Sequence, residues 1–138
     1  MTNVSLAQSY LAKSRVRLTI LPVLFEAAAY SDVVREAQEI VELALKGMLR
    51  QAGLEPPHWH DVGGLLQQHT NRFTAVTPHE LERLVETSAW LRKEREFAFY
   101  GDIDFIPTEQ YDAATATRAI QGAQLCVAVA ARVIAPVS

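Results

Sequence analysis

The chain has 138 residues, 49% hydrophobic and 21% charged, with 13 Lys and Arg against 16 Asp and Glu for a formal net charge of −3. That composition fits a folded domain with a sizeable core and excludes both a disordered chain and a broadly basic surface for indiscriminate binding to nucleic acid or acidic membrane. A local basic site stays open, so the placement of charges along the elements decides.

From Val4 to Tyr30 the residues are mostly good helix formers, with apolar side chains too frequent for a narrow stripe. Pro22 lies inside this run, removes a backbone donor and clashes with the preceding turn, so the first helix is expected to kink or break there. Ser31 is the expected N-cap of a second helix, with Asp32 in its first turn. This helix runs to about Gln51. Val33, Ala37, Ile40, Val41, Ala44 and Met48 recur at helical spacing, while Arg35, Glu39, Glu42, Lys46 and Arg50 take the other side. Gly53 is the C-cap candidate. The segment from Leu54 to His60 holds two prolines and reads as irregular, after which Asp61 caps a short third helix to about His69.

Thr77, Pro78 and Glu80 form a strong start signal, a capping box with proline at the first helical position. The fourth helix runs from there to about Tyr100, where Gly101 stops it, and residues 102–107 form a loop. Thr108 is read as opening a fifth helix that continues to about Ile134, with Ala113, Ala116, Ile120, Ala123, Val127, Ala130 and Ile134 as its stripe. No strand pair is read. The expectation is an all-α, up-and-down bundle of four to five helices forming one domain over residues 1–138. No stretch is long and apolar enough to span a membrane, the N-terminal run lacks an uninterrupted apolar leader core, and the lone cysteine, Cys126, reads as a small core residue. A cytoplasmic protein off the membrane is expected.

Placing the fourth helix on a wheel at about 100° per residue gathers Leu81, Leu84, Val85, Ser88 and Leu91 in one arc. Arg92 and Arg95 fall in the same arc, and Phe99 completes it. A guanidinium buried without a partner is very unfavourable, so this stripe must end on a carboxylate, a water-filled groove or another subunit. One reading is structural: a salt bridge to Glu39, Glu42 or Asp32, or snorkelling at the bundle's end. The other is anion capture by two planar donor forks converging on a phosphate. Trp90 and Phe97 share a different face, which fits either a homodimer interface or packing under the first helix or the 54–60 segment.

Three stretches carry a family resemblance. The run from Tyr30 to Arg50 resembles the second helix of HEPN-domain proteins, Gly53 to Val62 is similar to their linker, and Arg92-Lys-Glu-Arg-Glu-Phe-Ala-Phe-Tyr-Gly-Asp102 resembles the segment that carries their signature arginine. The resemblance covers nearly the whole chain. It implies a helical bundle that homodimerises across the signature helices and, in many members, a partner nucleotidyltransferase of the MNT type in a toxin–antitoxin pair. It also implies metal-independent RNA cleavage by an arginine followed four to six residues later by a histidine, with no cofactor.

The chain departs from that motif. Tyr100, Gly101 and Asp102 occupy the window after Arg95, and Phe97, Ala98 and Phe99 the window after Arg92, with no histidine in either. Arginine can bind phosphate and steady charge developing on it, but attack by a 2′-OH also benefits from a group that moves protons near neutral pH. A phenol, ordinarily titrating near about 10, does this poorly. Arg92 and Arg95 are therefore the candidate nucleotide- or RNA-phosphate ligands, and Arg95 with Tyr100 or His60 a candidate catalytic set. Tyr100 is also a candidate nucleotidyl acceptor, as tyrosines near the motif are in some HEPN toxins. The third reading is a structural interaction module with both arginines neutralised by carboxylates. His58-Trp59-His60 lacks the further ligands of a metal site, and no metal is expected.

Overall fold

The computed structural model describes residues 2–58 and 62–136, apart from the side chain of Glu96. In chain order the helices are α1 (Asn3–Leu18), α2 (Leu21–Glu26), α3 (Tyr30–Gln51), α4 (Val62–Gln68), α5 (Pro78–Phe99), α6 (Pro107–Gln110) and α7 (Ala113–Val133), with a 3-10 turn at Thr70–Arg72. The four long ones, α1, α3, α5 and α7, make the bundle. Side-chain pairs fix their directions. Arg17 meets Glu36 and Arg50 meets Asn3, so α1 runs against α3. Arg95 meets Glu39 and Arg35 lies over Phe99, so α5 also runs against α3. Arg132 meets Glu80 and Arg118 lies over Trp90, so α7 runs against α5. The all-α, up-and-down arrangement is as expected.

Helix α3 is the axis of the bundle and packs against each of the other six. Its stripe of Val33, Ala37, Ile40, Val41, Ala44 and Met48 is fully or almost fully buried. Each large apolar side chain of this kind contributes about 1.5–3 kcal/mol by leaving water. Helix α7 answers with small residues. A Cβ on Gly122 would lie 2.6 Å from Thr87 Cγ2, so glycine there is what lets α5 and α7 approach. Cys126 is buried in the same core, and burial pushes its thiol up to about 12, so it stays protonated.

Local chemistry sets the ends. Thr77 and Glu80 form the expected capping box: Glu80 N–H donates to Thr77 Oγ1 at 3.2 Å and Thr77 N–H to Glu80 Oε1 at 3.1 Å. Gly53 and Gly101 adopt φ of 77° and 71°, in the left-handed region that glycine enters without strain. The bond from Arg132 and then the Thr77 N–H hold the Glu80 carboxyl down at about 2, against an ordinary 4.5. A depressed folded-state value stabilises the fold above the unfolded value and loses that contribution as pH falls through the folded one. Urea midpoints should therefore drop between about pH 4.5 and 2, and the Glu80→Gln variant should show a shallower drop over that window.

One boundary is as expected and two differ. The first helix breaks near Pro22: α1 stops at Leu18, and Pro22 sits in the first turn of α2, where its missing N–H costs nothing. Ser31 is not an N-cap. Helix α3 starts at Tyr30 after Ala29 with no side-chain cap, and Ser31 is buried in its first turn. The last helix does not open at Thr108. Residues 107–110 form the separate turn α6, Tyr111 is extended, and Asp112 caps α7 by accepting the Thr115 N–H at 2.8 Å. The Tyr111 hydroxyl donates to Glu94 Oε2 at 2.8 Å, and that tertiary bond anchors the break. The expected cap at Asp61 lies outside the described residues.

Candidate functional site

On α5 the residues Leu81, Leu84, Ser88 and Leu91 are buried, as the wheel requires. Beyond Leu91 the bundle opens. Arg92, Arg95 and Phe99 continue the same arc but are exposed, so the stripe ends on a groove, with Glu39 beside Arg95, two of the three endings expected for it. Arg92, Arg95 and Phe99 form one wall of this groove, of about 510 Å³ between α5 and α3, with Leu91 in its floor. Helix α3 supplies the facing wall through Arg35, Gln38, Val41 and Glu42. His58 and Val62 close the linker side, and Tyr100 stands at the α5 end.

Among the described residues the lining holds three guanidiniums and one carboxylate, a cationic lining in a chain of net negative charge. Arg95 Nη2 bonds Glu39 Oε1 at 3.0 Å, which realises part of the structural reading. The two side chains are 50% and 27% exposed, and an ion pair in that setting contributes only about 0.2–1 kcal/mol. The pair positions Arg95 through one Nη2 contact and, at this exposure, is weak enough for another anion to compete with it. The Arg35 guanidinium carbon lies over the Phe99 ring, 4.2 Å from its centroid, which sets a third cation at the groove.

The carboxylate is already engaged. Glu42 Oε1 takes Lys46 Nζ at 3.0 Å and Glu42 Oε2 takes Gln38 Nε2 at 3.1 Å. Burial would raise its carboxyl, but the bonds from Lys46 and Gln38 and the charges of Lys46 and Arg95 outweigh that and hold it below the ordinary value. Gln38 itself is 7% exposed, and its Oε1 has no hydrogen-bond partner among the described residues. An orphaned buried acceptor costs about 1–3 kcal/mol.

All the candidate residues that can be placed come together: Arg92, Arg95 and Tyr100 line one groove. Tyr100 is 78% exposed, with its ring edge-on to Phe99 at 4.7 Å between centroids. His60 lies outside the described residues. The sequence reading missed Arg35, Gln38 and His58. The first two could have been found, since Arg35, Gln38 and Glu42 recur at helical spacing as a polar stripe beside the apolar one. His58, in an irregular linker, carries no periodic signal.

The second apolar face of α5 meets α7 and the 105–111 segment. The Arg118 guanidinium lies 3.9 Å over the Trp90 ring, and Phe97 packs edge-on against Phe105 at 5.4 Å. Phe105 in turn packs on Tyr111, and the Tyr111–Glu94 bond ties the 105–111 segment to α5. Burial and then the Glu94 carboxylate push the Tyr111 phenol up, so it stays a donor.

In the comparison with known families, a model described as HEPN domain matches residues 7–135. Neither the curated proteins nor the solved structures give a match.

Proposed function

The chain belongs to the HEPN domain family, and on that footing we propose that the groove between α3 and α5 binds the phosphates of a nucleotide or of single-stranded RNA through Arg92 and Arg95. The observation that carries the reading is the concentration of Arg35, Arg92 and Arg95 around a solvent-open groove, where the Glu42 carboxylate is already bonded by Lys46 and Gln38. The biological setting that fits is the HEPN half of a toxin–antitoxin pair with an MNT-type nucleotidyltransferase. Tyr100 would be its exposed nucleotidyl acceptor, and homodimerisation across α5 would set two grooves in one cleft. The test is fluorescence anisotropy with a labelled single-stranded oligoribonucleotide over a salt series. Two arginine–phosphate contacts predict a slope of log affinity on log salt of about −1.4. A flat salt response, or no binding at low salt, would remove the phosphate reading.

One observation favours a second reading, RNA strand scission. His58 lines the groove with the arginines, and imidazole is a side chain suited to moving protons near neutral pH. Purified protein incubated with total RNA should then cleave it, and both Arg95→Ala and His58→Ala should stop the cleavage. Cleavage surviving either change would discard this reading and leave the binding one standing.

A further inference from the structure

Among the described residues of the groove, Gln38 has a polar atom whose needs the protein does not meet. Gln38 is 7% exposed, its Nε2 donates to Glu42, and its Oε1 is shielded from bulk water with no partner among the described residues. The amide cannot simply turn over, because that would set Oε1 against the Glu42 carboxylate, acceptor to acceptor. Lys46 holds Glu42 from its other oxygen, so the relay Lys46–Glu42–Gln38 fixes the amide of a residue that lines the groove and leaves its acceptor unmatched. Arg92 and Arg95 offer donors for the phosphates, and Gln38 asks for the opposite partner. Near neutral pH inorganic phosphate and pyrophosphate keep a P–OH, but that donor sits on the group that the arginines hold. A nucleoside adds donors beyond the phosphate, a base N–H or a sugar O–H, that can meet Gln38. His58 and Tyr100, at the same groove, offer planar rings on which a base can stack.

Resting on the phosphate-binding reading, we infer that Gln38 accepts a hydrogen bond from the nucleoside portion of the ligand, so that the groove takes nucleoside phosphates in preference to bare phosphates. The specificity residue is Gln38, and the arginines supply the general anion affinity.

The test is isothermal titration of the full chain and its Gln38→Met variant with adenosine 5′-monophosphate and with pyrophosphate. Methionine is a good helix former of similar length without the amide acceptor, and circular dichroism checks that the variant is folded. The variant should bind the nucleotide about tenfold more weakly, the cost of leaving one hydrogen bond unmade, and pyrophosphate within about twofold of the wild-type value. On the wild-type protein, purine riboside 5′-monophosphate and the 2′- and 3′-deoxy forms of the nucleotide identify the donor. The one that lacks it should lose the same factor. Nucleotide affinity indifferent to Gln38→Met, or all three analogues binding like the parent, would overturn the inference while pyrophosphate binding kept the phosphate site. Failure of the wild-type protein to bind either ligand would overturn both.

Discussion

Replacing Arg92 and Arg95 together with alanine is expected to weaken binding of a single-stranded oligoribonucleotide by at least about a hundredfold. Each charge-assisted contact to phosphate contributes roughly 1.5–3 kcal/mol, and a factor of ten corresponds to about 1.4 kcal/mol. The fold should tolerate the change, because both side chains are exposed and the Arg95–Glu39 pair is a half-exposed ion pair. The lysine pair should recover only part of the loss, since an ammonium supplies charge but not the bidentate fork. Anisotropy titrations of the wild type and both double variants measure this directly. Binding by the alanine variant within threefold of the wild type would place the phosphate elsewhere. The Arg95–Glu39 pair adds a signed corollary. Glu39→Gln should tighten binding severalfold, because it removes the competing carboxylate while leaving Arg95 in place.

Gly101→Ala is expected to destabilise the protein by about 3 kcal/mol. Its φ of 71° alone costs a side-chain-bearing residue about 1–2 kcal/mol. The added Cβ would also lie 2.4 Å from the Phe105 carbonyl oxygen and 2.5 Å from Pro107 Cδ, neither of which is a flexible side-chain end. The Phe105 carbonyl accepts the Asp102 N–H in a reciprocal pair with Phe105 N–H and Asp102 O, so relieving the clash breaks that pair. Phe105 then loses its seat between Phe97 and Tyr111, and the segment over Trp90 loosens from α5. Urea denaturation followed by circular dichroism checks the stability. A midpoint equal to the wild type would show that the turn can be rebuilt around a side chain.

Much of the bundle was legible because its signals are local. The Thr77–Glu80 capping box, the glycine stops and the α3 stripe each depend on a few neighbouring residues, and each is found where periodicity places it. The boundaries that moved depend on partners distant in sequence. Ser31 is a good cap by type, but here it is buried in the first turn of α3. The gap between α6 and α7 rests on the Tyr111–Glu94 bond across 17 residues.

The site divided in the same way. One wall was readable from α5 alone, because two arginines in an apolar arc violate a simple rule. The facing wall was not. Arg35, Gln38 and Glu42 on a helix with a clean apolar stripe read equally well as a solvated face, and only the antiparallel docking of α5 turns that face into a groove. The same docking sets Glu39 against Arg95, a pairing that the wheel of either helix alone could only offer as one choice among three carboxylates.

The most direct measurement is a two-dimensional NMR titration of the isotope-labelled chain with a nucleoside monophosphate, following backbone amides and the arginine Nε–Hε signals. Binding at the groove predicts that Arg35, Arg92 and Arg95 shift together and saturably with the amides of Gln38 and Tyr100, while Arg118 and Arg132 on α7 stay still. Shifts centred on Arg118 or Arg132, or no saturable shift at Arg92 and Arg95, would contradict it.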